Sequence, residues 1–182
     1  MIFVTDAVGR CIFVSNDWHR LTGQSVPDAL GWGWLQRAHI DDRTVVTQTI
    51  EAAVAAAAEF TIRYRLLCSQ NKPRWVGAGG VPSFGMEDNR FIGYLGSITE
   101  MTRGSTDTIS AYGNVERFIP PTPHPNTMPI CKLDLVADHL LLAHSLIEED
   151  GGKNAMPALR EALFEVGRAL AARTLKPDRS LN

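Results

Sequence analysis

The chain has 182 residues, of which 45% are hydrophobic, and its formal net charge is −2 at pH 7. This length and composition fit one globular domain, or one domain with an appendage. The net charge is small, and the sequence has no Lys/Arg block and no apolar run of about 20 residues. We therefore expect neither a nucleic-acid partner nor a membrane partner.

The cysteines are few and widely spaced. Cys11, Cys68 and Cys131 form no CxxC pair, so neither a zinc ribbon nor a disulfide framework is predicted. The first six residues lack the basic start of a secretory signal. These features predict a protein of the reducing cytoplasm.

The first hundred residues predict strands and helices in the order of an α+β domain. Two short strands, residues 2–4 and 11–14, flank a turn, and two short helices follow. A longer helix is predicted over residues 42–58, because its apolar residues recur on one helical face. Those residues are Val46, Ile50, Ala53, Val54 and Ala57.

Three further strands are predicted over residues 60–66, 74–81 and 91–99. The first of them alternates between apolar and polar residues, which is typical of a strand with one wet face. The last has apolar residues on both faces. We therefore expect its outer face to be covered, either by the C-terminal helices or by a partner chain.

The remaining chain differs in kind. Residues 103–132 contain five prolines between positions 120 and 129 and predict an extended, stiff linker. Residues 133–176 predict a helical hairpin, with residues 177–182 as a tail. Apolar residues in both helices recur at the spacing of a helix seam, which favours a homodimer. The seam candidates are Leu140, Ile147, Leu159, Leu163, Val166 and Leu170.

Five motifs occur in a fixed order within residues 1–102. They are residues 9–23 with Asn16 and Trp18, Trp34 with His39-Ile40-Asp41-Asp42-Arg43, Tyr64-Arg65-Leu66, Arg74-Trp75-Val76, and residues 93–102. This order resembles the PAS family, although Ile40 replaces the usual proline and Glu100-Met101 replaces Asp-Ile. The resemblance implies an antiparallel five-stranded sheet that cups a small pocket under short helices, here followed by the helical hairpin.

The pocket is expected between the long helix and the sheet, because each of these elements has one clear apolar face. Three glycines, Gly77, Gly79 and Gly80, would thin the inner strand and make room. The residues predicted to line the pocket are Trp34, Val46, Ile50, Val54, Tyr64, Trp75, Leu95 and Ser97.

The resemblance leaves the cofactor open. Haem-binding PAS domains carry their axial histidine on the long helix, which has none here, so haem is disfavoured and His39 is its weak candidate. His39 also fits a capping role. Photoactive flavin PAS domains need a cysteine that residues 28–39 lack. Non-covalent flavin, stacked on Trp34 and Trp75, stays open, as do a small metabolite and no cofactor at all.

We expect a sensory signal-transduction protein rather than an enzyme, one that binds a small ligand or a signalling protein partner and relays through the hairpin. No catalytic residue and no metal site is predicted. The main alternative is a phosphotransfer protein related to histidine kinases, with His139 or His144 as acceptor. Those histidines are followed by Leu140 and Ser145, not by the charged partner such proteins use, and His144 with Glu148 predicts a surface pair.

Overall fold

The computed structural model describes residues 1–102 and 110–174, apart from the side chain of Asp150. Six strands form one antiparallel sheet in the order β2-β1-β5-β4-β3-β6. Their bounds are β1 Ile2–Thr5, β2 Cys11–Val14, β3 Phe60–Leu67, β4 Pro73–Phe84, β5 Phe91–Glu100 and β6 Tyr112–Val115. The α+β class is confirmed, with one strand more than the five predicted.

Within the described residues, five α-helices cover the two faces of this sheet. Their bounds are α1 Asp17–Thr22, α2 Val26–Ala29, α3 Arg43–Ala56, α4 Lys132–Asp150 and α5 Met156–Thr174. Helices α1–α3 lie on what we call the inner face, and the α4–α5 hairpin lies on the outer face. None of the described helices is long and apolar enough to cross a membrane.

Helix α3 packs on the inner face through the stripe that the sequence predicts. Val46 and Ala53 are fully buried, and Ile50 is 8% exposed. At its start, Asp42 accepts hydrogen bonds from the backbone N–H of Arg65 at 2.8 Å and from Arg65 Nε at 2.9 Å. The helix ends at Ala56, and the next residue, Ala57, has a left-handed φ of 47°. Two of the recognised motifs therefore meet where the start of α3 contacts β3.

The faces of β5 are assigned differently from the prediction. In a regular strand Phe91 would share a face with Leu95, yet the centre of its ring lies 5.1 Å from that of Tyr94 in the inner core. Gly93 lies between them with φ of 136°, and its backbone packs against the carbonyl of Thr5. This irregular residue resets the alternation, so that Phe91 faces inward together with Tyr94, while Leu95 faces outward.

The predicted linker is partly ordered structure. Residues 112–115 form β6 and pair with β3, and Phe118 is 1% exposed in the outer core. Phe118 and Pro121 lie where the Cβ atoms of Gly79 and Gly77 would be. Those two glycines therefore make room for the linker on the outer face rather than for a pocket on the inner face. Residues 103–109 of the linker lie outside the described residues.

The hairpin seam is occupied within the chain. Leu163 and Leu170 are 3% and 0% exposed, and they pack with Leu95 and Phe118 in the outer core. Leu140, Leu159 and Val166 pack against that core while partly buried, and Ile147 is half-buried. The seam thus covers the outer face of the sheet, so this face is covered by the C-terminal helices, one of the two arrangements expected from the sequence. The predicted tail, residues 177–182, lies outside the described residues.

Candidate functional site

A cavity of about 50 Å³ lies between α3 and the inner face of the sheet. Its wall is formed by residues of the sheet, of α3 and of the segments before α3. The wall residues are Phe3, Thr5, Gly9, Cys11, Val14, Trp18, Trp34, Val46, Ile50, Phe60, Ile62, Tyr64, Ala78, Tyr94 and Ile98. None of these side chains carries a charge at neutral pH, so the cavity is suited to an apolar guest.

Several polar groups in the wall already have partners. Trp18 Nε1 donates to Gln24 Oε1 at 3.1 Å, Tyr94 donates its hydroxyl to the carbonyl of Ala58 at 2.9 Å, and Cys11 Sγ donates to the carbonyl of Phe13 at 3.2 Å. Burial raises the pKa of Cys11 to about 12. The thiol therefore stays neutral and is a poor nucleophile.

Half of the predicted pocket residues line the cavity. Trp34, Val46, Ile50 and Tyr64 do so, and Val54 packs against the same core without reaching the wall. The remaining three predictions are wrong, and the following pairings explain why.

Trp75, Leu95 and Ser97 point to the other face of the sheet. Tyr64 pairs with Val76, so Trp75 pairs with Arg65, whose guanidinium carbon lies 5.7 Å from the centre of the Trp75 ring. Directly opposed residues share a face, and neighbours along a strand do not.

Residues opposite Ile62 would have been better choices. Ala78 pairs with Ile62 and with Ile98, and both Ala78 and Ile98 line the cavity.

The cofactor candidates fit this site unequally. His39 is absent from the wall, and its Nδ1 accepts a hydrogen bond from the Asp41 backbone at 3.4 Å, which is the capping role. Of the two tryptophans considered for flavin stacking, only Trp34 reaches the cavity. A benzene-sized guest needs about 150 Å³. In this conformation the cavity therefore accepts a guest smaller than one aromatic ring, and not an isoalloxazine.

The two histidines of the phosphotransfer alternative differ in exposure. His139 lies at the surface of α4, whereas His144 is fully buried. The prediction that His144 forms a surface pair with Glu148 is therefore wrong, because His144 is buried. Its Nε2 lies 3.6 Å from Glu59 Oε1. A phosphate could not reach His144 without displacement of α4.

Comparison with known proteins identifies the fold. Residues 11–98 match the family described as the PAS fold. The uncharacterized protein y4lL of Sinorhizobium fredii is 33% identical over 102 residues, which are 56% of this chain and 12% of that protein. The chain thus spans about an eighth of the length of that relative.

Two solved structures show similarity of different extent. The LOV protein of Rhodobacter sphaeroides aligns with 94% of this chain and 87% of its own, with a TM-score of 0.51 and 16% identity. A PAS domain from Colwellia psychrerythraea aligns with 56% of this chain and 86% of its own, with a TM-score of 0.46 and 27% identity. The first alignment extends the shared fold beyond residues 11–98 into the hairpin.

Proposed function

Because residues 11–98 of this chain match the family of the PAS fold, we propose that it is a sensory signalling module. In this proposal a small apolar ligand enters the inner cavity, and the α4–α5 hairpin on the outer face responds. The proposed role is non-enzymatic, and it is supported by a cavity wall that supplies apolar surface and no ionised group.

The observation that carries this proposal is the position of β5 between the cavity and the hairpin. Tyr94 and Ile98 line the cavity, and Leu95 between them belongs to the outer core. A Cβ atom added at Gly167 of α5 would lie 3.7 Å from the Cβ of Leu95. One strand therefore contacts the guest with one face and the output helix with the other.

This arrangement couples the two sites through packing. A guest that displaces Ile98 must move the β5 backbone, and Leu95 then shifts against α5. Closely packed interiors do not deform continuously, so a small displacement favours a different docking position of the hairpin. The ligand acts by its different affinity for the two positions.

We also propose that the signalling unit is a homodimer formed through α4. With its buried side on the sheet, α4 exposes an apolar stripe in which Val136, Leu142 and Leu146 are 45%, 37% and 49% exposed. Exposed Lys132 begins this helix and exposed Glu149 lies near its end. Antiparallel pairing with a second copy covers both stripes and brings these opposite charges together.

Xenon is a suitable probe for the cavity, because it is apolar and smaller than an aromatic ring. We expect xenon to shift the NMR methyl signals of Val46, Ile50 and Ile98, and to change amide exchange in α5. Ala78→Val adds two methyl groups at the wall and should abolish both effects. Ala55→Val, the same change on the exposed side of α3, should leave them intact.

Two outcomes would contradict the proposal. Xenon shifts that persist in Ala78→Val place the bound atom elsewhere. If xenon binds in the cavity and amide exchange in α5 does not change, the proposed relay from the cavity to α5 is wrong.

A further inference from the structure

A second cluster of polar side chains lies at the junction of sheet and hairpin, away from the cavity. Glu59 immediately precedes β3, and His144 and Glu148 lie one turn apart on α4. One ligand atom from each of these three residues lies within 4.8 Å of the other two. His144 Nε2 lies 3.6 Å from Glu59 Oε1.

The histidine at the centre of this cluster lacks hydrogen bonds. His144 is 0% exposed, and neither Nδ1 nor Nε2 has a hydrogen-bond partner within the part of the chain that the structure describes. Buried polar side chains are nearly always paired. A buried, unpartnered imidazole that faces two carboxylates indicates a missing ligand at this position.

The carboxylates are placed to share that ligand. Glu59 Oε2 accepts a hydrogen bond from the backbone N–H of Phe118 at 3.0 Å, which fixes the group and leaves Oε1 towards His144. Such an outer hydrogen bond is typical of a metal-binding carboxylate. The Glu148 side chain is 32% exposed, and its Oε1 lies 3.6 Å from Arg160. An ion can therefore enter from solvent by displacing Arg160.

We propose that Glu59, His144 and Glu148 form a binding site for a divalent first-row transition-metal ion of the Zn²⁺ type. One imidazole and two carboxylates are ligands that such ions accept, with water at an open position. Bonds of about 2.0–2.1 Å at tetrahedral angles place ligand atoms about 3.3 Å apart. The pair at 3.6 Å is close to that spacing, and Glu148 needs a rotamer adjustment.

This site would fasten the hairpin to the sheet. Glu59 belongs to the sheet side of the junction, and both other ligands belong to α4. A bound ion would therefore hold the docked position of the hairpin. The site shares no residue with the cavity, so its test is independent of the proposed function.

The test is calorimetric titration of the folded chain with Zn²⁺, in a Cys131→Ser background that removes the exposed thiol. We expect one ion per chain and a raised Tm. Glu148→Gln and Glu59→Gln should each weaken binding at least tenfold. Glu149→Gln, one residue further along α4, and His139→Asn, the exposed histidine, should bind as the parent does.

Three results would overturn the site. These are no saturable binding up to 100 µM Zn²⁺ by a folded chain, unchanged affinity in both glutamate variants, or loss of binding in His139→Asn. Glu148 is partly exposed, so Glu148→Gln keeps the test decisive even where Glu59→Gln disturbs folding. Amide exchange of α4 with and without Zn²⁺ then shows whether the ion holds the hairpin.

Discussion

The ring of Phe118 lies against the backbone of Gly79, in the space where any larger residue would place its Cβ. Phe118 comes from the proline-rich segment, and Gly79 lies on the central strand β4. Their contact joins a segment that looks like a linker to the outer face of the sheet. Leu163 and Leu170 of the hairpin belong to the same buried cluster as this ring.

Gly79→Ala tests this contact. The added methyl overlaps both the Phe118 ring and the backbone carbonyl of Phe60, and the latter cannot rotate away. We expect the free energy of unfolding to fall by about 1–3 kcal/mol, the usual cost of overpacking, as measured by urea denaturation. A variant as stable as the parent would show that Phe118 does not occupy this position.

Gly167→Ala is the matched substitution on the helical side of the same interface. Its Cβ would lie 3.7 Å from Leu95, an ordinary van der Waals contact, and alanine favours a helix interior over glycine by about 1 kcal/mol. We expect the free energy of unfolding to rise by up to that amount. Destabilisation by more than 1 kcal/mol would mean that α5 approaches β5 more closely than described.

Much of this fold could be predicted because its signals are local. The stripe Val46, Ile50 and Ala53 repeats at helical spacing, and β3 alternates with period two, so α3 and β3 were expected near their observed bounds. Half of the cavity wall candidates followed from the same patterns. Local periodicity fixes which side of an element is apolar.

The errors occurred where long-range packing decides. Strand β5 has apolar residues on both faces, so no pattern within the strand shows which face turns inward, and Leu95 was placed in the cavity. Phe118 lies in an irregular segment just before Pro120 and Pro121, and its burial depends on Gly79, about forty positions earlier. His144 was expected at the surface because Glu59, its neighbour in space, is distant in sequence.

Asp42→Asn tests the junction of α3 with β3. Burial alone would raise the pKa of Asp42, but the hydrogen bonds and charge of Arg65 outweigh it and lower the pKa. The Asp42 side chain is 3% exposed, and a hydrogen bond to a charged group contributes about 1.5–3 kcal/mol. We expect the variant to lose about 2 kcal/mol of stability at pH 7.

The same substitution has a defined pH dependence. A carboxyl group with a lowered pKa in the folded chain stabilises it above the unfolded pKa of about 3.9 and loses that effect as the pH falls through the folded value. The stability difference between parent and Asp42→Asn should therefore be constant from pH 7 to 5 and shrink below pH 4. Urea denaturation across this range measures it, and a constant difference down to pH 2.5 would contradict it.

Cys131 should be the only one of the three cysteines to react rapidly with Ellman's reagent in the folded chain. It is exposed, and the hydrogen bond that Arg173 donates to its sulfur at 3.1 Å lowers its pKa. Burial raises the pKa of Cys11 to about 12 and that of Cys68 to about 11. Arg173→Gln should slow the Cys131 reaction roughly two- to tenfold.

The control for this reaction is Arg168→Gln. Arg168 lies on the same helix and pairs with Glu165 at 3.1 Å instead of with a thiol, so its removal should leave the rate unchanged. Equal rates in the parent and in Arg173→Gln would show that the end of α5 does not reach the start of α4.

The dimer is best tested on the exposed side of α4. Leu163→Asp is unsuitable, because Leu163 is 3% exposed against the sheet and a buried carboxylate there would undock the hairpin whatever the oligomeric state. Leu142 and Leu146 are 37% and 49% exposed, so charging them opposes association and leaves the fold intact.

We expect the parent at micromolar concentration to scatter light as twice its 20.0 kDa. The double variant Leu142→Glu/Leu146→Glu should scatter as one chain with an unchanged melting curve. Met86→Glu, at an apolar residue that is 61% exposed in the β4–β5 turn, should stay dimeric. If the parent remains a single chain at 100 µM, the homodimer is excluded. The exposed stripe of α4 would then bind a different protein.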